Sequence, residues 1–460
     1  WFNRLCALRY LDARAWHPFG CKVLMPAGEG ETQPELLKLM RAGSLPAALK
    51  GHTNETRLHG LLDGQIQTAI AGTDPQGEVY RELVLATCRF YHQLLPNLFE
   101  GLDDARELLL PDDLLSEGSI AGSFRREISD DDCQEVEILG WLYQFYISEK
   151  KDQVMARKKA VPTEDIPAVT QLFTPHWIVR YLVENSLGRL WLLNRPGSKL
   201  REQMPYYIEG EAETDFLKIT KPEEIRLLDP ACGSGHMLTY AFDLLTLIYE
   251  EEGYSPSEIP GLIFHHNLYG LEICPRAAQL AELALVFKAR EKSRRFFQPE
   301  QLVQPHIIEL KDVRFAEGEL NDYIEAFELG ELFDPNLFKL LHQFEEAKNF
   351  GSLIQPCLDE QTIASTRRAI EAKELSGQLF LRETHLKVRR ALAQAEALIH
   401  SYHIIVANPP YSGSRYMNSA LSVFAKSQYR DSKADMFAMF VERMQSLAEK
   451  NGYLAVVCPY

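Results

Sequence analysis

The sequence has 460 residues, of which 46% are hydrophobic and 25% are charged. This balance excludes a disordered or fibrous protein, and the length favours two or three domains. The net charge of −16 excludes a uniformly basic nucleic-acid-binding protein, although it leaves room for a local basic groove. No run of about 18 uncharged apolar residues is present, so we predict neither a transmembrane helix nor a membrane partner.

Eight cysteines are spread along the chain without a Cys-x-x-Cys pair. This spacing indicates neither a zinc site nor a disulfide framework, and we predict no metal ligands. Widely separated cysteines are typical of reduced thiols, so the expected compartment is the cytoplasm.

Residues 1–162 have the pattern of a helical N-terminal domain. Apolar residues recur at helical spacing in residues 78–95 and 136–147. Near the end of this region lies a dense basic run made of Lys150, Lys151, Arg157, Lys158 and Lys159. The run is interpreted either as a solvated linker or as a phosphate contact.

Residues 163–460 alternate between short apolar strands and helices. Helices are predicted over residues 237–251 and 275–290, and each follows a strand. This alternation is typical of an α/β protein with a doubly wound parallel sheet. The predicted strands are residues 225–229, 268–271, 306–310, 404–407 and 453–457.

Residues 316–400 interrupt this alternation because they contain no good strand pattern. Helical periodicity is present instead in residues 321–329, 337–348 and 362–398. We therefore predict a helical insertion between two strands of the sheet.

A loop with two glycines follows the first predicted strand. Residues 229–236 read Asp-Pro-Ala-Cys-Gly-Ser-Gly-His and precede a helix. Glycine lets a backbone approach a ligand closely, and a helix N-terminus offers unpaired N–H groups. The candidate cofactor-binding residues of this loop are Asp229, Ala231, Gly233 and Gly235.

Acidic residues follow the next two predicted strands. Glu272, with its neighbour Ile273, ends the second strand, where a carboxylate can accept hydrogen bonds from both hydroxyls of a ribose. Asp312 follows the third strand and can accept a hydrogen bond from the amino group of an adenine ring. A helix cap or turn residue is the alternative interpretation of Asp312.

Asn408-Pro409-Pro410-Tyr411 follows the fourth predicted strand. The amino nitrogen of adenine is a poor nucleophile because its lone pair is delocalised into the ring. The Asn408 side-chain oxygen and the Pro409 carbonyl can accept its two hydrogens and direct the lone pair at a methyl donor. The two prolines restrict the backbone, and Tyr411 offers a face for stacking. A plain proline-rich turn is the alternative.

These segments resemble the amino-methyltransferase family of DNA-modifying enzymes. The resemblance implies a Rossmann-like sheet, S-adenosyl-L-methionine as cofactor, double-stranded DNA as partner and methylation of adenine at its exocyclic amino group, with no metal. It implies that residues 229–235, Glu272 and Asp312 bind the cofactor and that residues 408–411 carry catalysis. Residues 171–175, Gln-Leu-Phe-Thr-Pro, resemble the segment that contacts the methionine end of the cofactor. Thr174 therefore joins the cofactor-binding residues, and it is also predicted to cap a following helix over residues 178–190.

A closer resemblance, over nearly the whole chain, is to the adenine methyltransferases of BREX bacteriophage-defence systems. It rests on the opening residues 1–10, the helical N-terminal region and the insertion before Asn408. It implies methylation that marks host DNA as self, together with other BREX defence proteins. The motif order implies a C-terminal target-recognition domain. Because the chain starts without Met and ends soon after the last predicted strand, we expect a fragment that lacks this domain.

Three other functions remain open. The methyltransferase part of a restriction-modification enzyme is one, although the Glu-x-Lys triplets at 149–151, 346–348 and 371–373 lie in helical patterns rather than in a nuclease-like strand. A protein glutamine methyltransferase is another, since an amide nitrogen poses the same chemical problem as adenine. The large N-terminal region and the insertion favour a DNA-sized substrate. A DNA-binding sensor with an inactive fold is the third, and the intact motif at 408–411 argues against it.

Overall fold

A computed structural model describes residues 1–458 apart from residues 29, 70–71, 102–106, 173, 212, 299, 301, 328–332 and 374–380. It divides into two compact units, one of residues 1–139 and 294–302 and the other of residues 140–293 and 303–460. The predicted domain boundary at residue 162 lies inside the second unit. The physical reason is that Val161 and Ile166 pack with Ile273, which belongs to that unit.

The first unit is helical, in agreement with the prediction for the N-terminal region. The predicted helix 78–95 corresponds to α5, which Asp74 caps by accepting a hydrogen bond from the Gly77 N–H. The α-helices of this unit are α1 (Phe2–Ala13), α2 (Glu35–Arg41), α3 (Ala47–Lys50), α4 (Glu55–Leu62), α5 (Pro75–His92) and α6 (Ile120–Glu127). Its 3₁₀ helices are Glu107–Leu109 and Asp132–Gln134.

The second unit contains a parallel sheet of five strands in the order β3-β2-β1-β4-β5. The predicted α/β sheet is therefore confirmed, and each predicted strand overlaps an observed one. The strands are β1 (Leu227–Asp229), β2 (Leu268–Glu272), β3 (His306–Glu309), β4 (Tyr402–Ala407) and β5 (Ala448–Val456). The fifth strand starts earlier than predicted, because it continues through an irregularity in its pairing with β4 and through Asn451 at φ 64°.

Helices surround the sheet of the second unit. The predicted helices 136–147, 237–251 and 275–290 correspond to α7, α11 and α13, and α11 and α13 pack against β2. The helices before β3 are α7 (Ile138–Ala156), α8 (Ile166–Thr170), α9 (His176–Val183), α10 (Arg189–Asn194), α11 (His236–Glu251), α12 (Ile259–His266) and α13 (Pro275–Lys292). The short helices of the same region are the 3₁₀ turns Thr163–Asp165, Lys199–Gln203 and Pro222–Glu224 and the π-turn Glu184–Gly188, which joins α9 to α10.

One predicted helix start is wrong. Thr174 was expected to cap the helix that follows it, but α9 begins at His176 with Pro175 as its N-cap residue and without a side-chain cap bond. The Thr174 hydroxyl is instead used inside the candidate active site. Phe173, from the same predicted segment, lies outside the described residues.

The described residues of the insertion between β3 and β4 form helices that are joined by turns and loops. The insertion packs directly on the sheet, since Leu340 and Leu392 share one core cluster with Leu228 and Leu271. Its helices are α14 (Glu319–Ala326), α15 (Pro335–His342), α16 (Ala347–Phe350), the 3₁₀ turn Gly351–Leu353, α17 (Glu360–Glu371) and α18 (Leu381–Ile399). The remaining helices of the unit are the 3₁₀ turn Ser414–Tyr416, α19 (Ser419–Gln428) and α20 (Met436–Leu447).

The predicted insertion helices 321–329 and 362–398 extend into residues 328–329 and 374–380, which lie outside the described residues. In the described ranges, every helix is too short or too polar to cross a membrane.

Candidate active site

A cavity lies at the carboxyl ends of β1, β2 and β4. Parallel strands present their carboxyl ends at the same edge of a sheet, and open α/β sheets bind ligands there. The predicted residues that line the cavity include Asp229 after β1, Glu272 at the end of β2 and Asn408 after β4, together with Thr174 before α9. The structure therefore brings together residues from four separate segments of the sequence. Ala231, Gly233, Ile273 and Pro410 line the same cavity.

The glycine loop is held by two buried carboxylates. Asp229 Oδ1 accepts a hydrogen bond of 3.1 Å from the Ala231 N–H. Glu272 accepts one from Gly233 N–H through Oε2 and one from Cys274 N–H through Oε1, each at 2.8 Å. Gly233 has a φ of 54°, a left-handed conformation that favours glycine. Glu272 thus fixes the loop that carries Gly233.

Gly235, which is predicted to bind the cofactor, has a packing role in the structure. It is not among the residues that line the cavity. Its φ is 87°, and a Cβ atom at this position would lie 3.0 Å from the Cα of Ala281 on α13. The glycine is therefore required where α11 starts against α13.

The Asn408 side chain lies between two hydroxyl groups. Its Nδ2 donates to Thr174 Oγ1 at 3.1 Å, and its Oδ1 accepts from the Tyr411 hydroxyl at 2.7 Å. That hydroxyl also lies 2.9 Å from the Val457 carbonyl oxygen, which is a second acceptor for its proton. Thr174 and Tyr411 together hold the amide in place. Pro409 is buried, and the Tyr411 ring lies 6.0 Å from that of Phe437.

The cavity contains two buried acidic groups, Asp229 and Glu272. Burial raises the pKa of Asp229 to about 8, and burial also raises the pKa of Glu272 above its ordinary value. Burial lowers the pKa of His236 to about 3, which leaves this ring neutral near pH 7. None of the described residues that line the cavity is Lys or Arg. The site is therefore suited to a ligand with positive charge.

Asp312 does not line the cavity, in contrast to its predicted contact with a cofactor adenine. Its Oδ1 accepts a hydrogen bond of 2.9 Å from the Lys348 N–H, and its Oδ2 lies 3.6 Å from an Arg314 nitrogen. Asp312 instead anchors the start of the segment 349–353, whose residues do line the cavity. We call residues 349–353 the inner strap.

The parts of the site that the sequence did not predict include the inner strap, α7, α8 and α20. The strap is fixed by the Ser352 hydroxyl, which donates to the Pro230 carbonyl, and by Arg443, which donates to the carbonyls of Ser352 and Ile354. From α7 the cavity receives Gly140, Tyr143, Gln144 and Ile147.

Gly140 allows α7 to approach the glycine loop closely. A Cβ atom at Gly140 would lie 2.5 Å from His236 Cε1 and 2.6 Å from Ser234 Oγ. A side chain at this position would force His236 and Ser234 to move, so glycine favours this close approach of α7. A glycine inside a predicted helix is the available sequence signal for this approach.

The sheet order and this cavity at its carboxyl edge define an α/β fold of the methyltransferase class. Residues 266–460 match the family described as Eco57I restriction-modification methylase.

Two named relatives are similar to almost the whole chain, and the resemblance predicted from the sequence is confirmed. The adenine-specific methyltransferase BrxX of Escherichia coli O9:H4 (strain HS) is 39% identical, and the adenine-specific methyltransferase PglX of Lacticaseibacillus casei (strain Zhang) is 35% identical. Each alignment covers 99% of this chain, and the chain spans 39% of the length of each relative. A chain of the solved "cryoEM structure DrdV-DNA complex" aligns with 95% of this chain and 35% of its own, at 13% identity and a TM-score of 0.33.

Proposed function

We propose that the protein is a DNA adenine N6-methyltransferase that uses S-adenosyl-L-methionine and acts on an adenine rotated out of double-stranded DNA. The observation that carries this proposal is the position of Asn408, which lies in one cavity with the glycine loop and Glu272. A hydrogen-bond acceptor for an amino group thus stands beside a site for a nucleoside cofactor. The names of the two relatives support adenine as the methylated base.

The residues of the cavity fit this cofactor. Two buried carboxylates without a basic lining residue suit a molecule whose sulfonium and ammonium groups outweigh its one carboxylate. Glu272 would accept the ribose hydroxyls, while Ile273 and the inner strap supply apolar surface for a ring. When bound, S-adenosyl-L-methionine supplies an electrophilic methyl group on a good leaving group.

The chain itself contributes positioning. Asn408 Oδ1 accepts one hydrogen of the adenine amino group, and the Pro409 carbonyl accepts the other, so the nitrogen lone pair is withdrawn from the ring and made available. Thr174 and Tyr411 orient the amide through its two hydrogen bonds. The rigid Pro409-Pro410 backbone keeps the carbonyl in place. Preorganised acceptors of this kind lower the activation barrier because they need no rearrangement during the reaction.

The biological setting proposed here is a BREX phage-defence system in the cytoplasm, where methylation marks host DNA and other defence proteins are partners. The relatives named BrxX and PglX support this setting. The second candidate is the methyltransferase part of a restriction-modification enzyme, which the description of the matching family favours.

The test of the proposed function is methyl transfer to defined substrates. The protein is incubated with radiolabelled S-adenosyl-L-methionine and genomic duplex DNA, and the digested nucleosides are separated. We expect the label in N6-methyldeoxyadenosine. Label in cytosine, or in a glutamine-containing protein with unmodified DNA, would contradict the proposal.

Cofactor affinity is expected to rise with pH up to about 8. Since the cationic ligand favours ionised Asp229, whose pKa is raised to about 8, binding below that pH must release a proton. Affinity should therefore fall by up to about tenfold for each pH unit below 8. Calorimetry from pH 6 to 9 measures this dependence.

S-adenosylhomocysteine is the matched control ligand, because it keeps the amino group but lacks the sulfonium charge. Its affinity should depend less on pH, and Asp229→Asn should flatten the profile of the methyl donor. Identical profiles for the two ligands would show that Asp229 does not sense the sulfonium.

A further inference from the structure

We propose that four exposed cations beside Asn408–Tyr411 bind the phosphates of the DNA strand that carries the target adenine. They are Lys158, Lys159, Arg415 and Lys433, and we call them the basic rim. The inference rests on the proposed function and assigns to that site a DNA-contacting surface. All four residues are exposed and belong to the second unit.

Backbone hydrogen bonds bring the three segments of the basic rim together. The Val161 N–H donates to the Tyr416 carbonyl at 2.9 Å, which joins the end of the 150–159 basic run to the segment after the Asn-Pro-Pro-Tyr motif. The Ser414 N–H donates to the Ala434 carbonyl at 2.9 Å, and the Met436 N–H donates to the Ser412 carbonyl at 3.0 Å. Ser412 directly follows Tyr411. The basic rim is therefore tied to the motif that would hold the target base.

The charges of the basic rim are not neutralised. Among the described residues, no carboxylate oxygen lies within 4.0 Å of a side-chain nitrogen of the four cations. The neighbouring acid Asp165 is buried and occupied by Lys150 at 2.8 Å and Arg157 at 2.9 Å. In a chain with a net charge of −16, four uncompensated cations around one site form a local attraction for a polyanion.

The backbone at Lys158 gives an independent reason to assign a function to the rim. Lys158 has a φ of 50° two residues after the end of α7 at Ala156, where glycine is the residue with the least strain. An exposed lysine in this conformation contributes no packing that would offset its strain. A phosphate contact explains why a cation occupies this position.

Arg415 is also held in place rather than extended into solvent. Its guanidinium carbon lies 4.5 Å from the centre of the Tyr416 ring, and Tyr416 packs with the buried Val161. The stacking fixes the direction of the guanidinium before DNA arrives. Pre-positioned cations of this kind add affinity because less side-chain freedom is lost on binding.

The test replaces the four cations with glutamine and measures methyl transfer to duplex DNA at several salt concentrations. Each phosphate contact contributes about 0.9 to the slope of log affinity against log salt, so the quadruple variant should lose about 3 to 4 from this slope. The KM for DNA should rise by about 30-fold or more at physiological salt, while calorimetry shows unchanged affinity for S-adenosyl-L-methionine. The matched control replaces four exposed cations on α13, α15 and α18, namely Lys292, Lys339, Arg382 and Arg390, and should keep the wild-type slope.

Lys158→Gly separates the proposed contact from a structural role. The variant should unfold at the same temperature as the wild type or higher, yet show a KM for DNA raised about threefold or more. If the quadruple variant also loses cofactor binding, the salt dependence is measured on the single variants Lys158→Gly and Lys159→Gln. Each of them should lose about 0.9 from the slope of log affinity against log salt if its lysine contacts a phosphate.

The failures of the two proposals are distinguishable. If the wild type transfers no methyl group to DNA, the proposed function fails and the assignment of the rim fails with it. If the wild type methylates DNA and the rim variants keep its KM and salt slope, only the rim is overturned. The assignment of the basic rim would likewise be overturned if the rim variants lost binding to an RNA duplex but kept the wild-type kinetics on DNA.

Discussion

Replacing Asn408 with alanine is expected to lower kcat for adenine methylation by about 10²- to 10³-fold, the usual effect of removing one preorganised hydrogen-bonding group. The variant loses the acceptor for the amino group of the base, and it leaves the Thr174 and Tyr411 hydroxyls without their shared partner. The carboxylates that fix the glycine loop are untouched. Affinity for S-adenosyl-L-methionine should therefore stay within about threefold of the wild type, since the loss falls on the reacting group alone.

Single-turnover methylation and calorimetry on the same preparation measure the two effects. Asn336→Ala, which changes an exposed asparagine at the start of α15, is the matched control and should behave as the wild type. If Asn408→Ala kept wild-type kcat, the proposed role of the Asn-Pro-Pro-Tyr motif would have to be abandoned.

Glu272→Ala is expected to weaken cofactor binding by about 100-fold or more and to destabilise the fold. The buried carboxylate accepts hydrogen bonds from the Gly233 and Cys274 N–H groups, and both donors would lose their partner. Leaving a buried N–H unpaired costs about 1–3 kcal/mol, so the loss of both partners should lower the free energy of unfolding by about 2–6 kcal/mol. The glycine loop would then no longer be held in its binding conformation.

Glu272→Gln distinguishes the loop-fixing role from the ribose contact. Glutamine has the same shape, but its amide presents only one oxygen, so one of the two N–H groups keeps an acceptor. An intermediate loss of affinity and of thermal stability is expected, measured by calorimetry and thermal unfolding. Cofactor affinity that stayed unchanged even in Glu272→Ala would rule out the ribose assignment.

The sheet and much of the site could be predicted because their signals are local. The strands are short apolar runs, and the residues after them fall at one edge of any parallel sheet. This is why Asp229, Glu272 and Asn408 could be placed together from sequence positions far apart. The Thr174 contact to Asn408 was not predicted, because the same threonine before a proline also matches a helix cap.

The rest of the site depends on tertiary packing that leaves no local pattern. Asp312 has the sequence position of a cofactor ligand, but its carboxylate is used by the Lys348 N–H. Nothing in the periodicity of the insertion marks residues 349–353 as part of a cavity wall. The close packing that requires glycine at position 235 likewise depends on the position of Ala281 in the neighbouring helix, which the local sequence does not give.

The inner strap has a consequence for how the length of the insertion can vary. Arg443 binds the carbonyls of Ser352 and Ile354, and Asp312 binds the N–H of Lys348, so the strap is clamped at both ends. By contrast, α14 and α17 contribute no described residue to the cavity wall. We therefore expect these outer helices to tolerate sequence changes, longer connecting loops or a fused reporter protein. Deleting a single residue between the clamps would shift one wall of the ligand site, which makes the base of the insertion as constrained as the sheet itself.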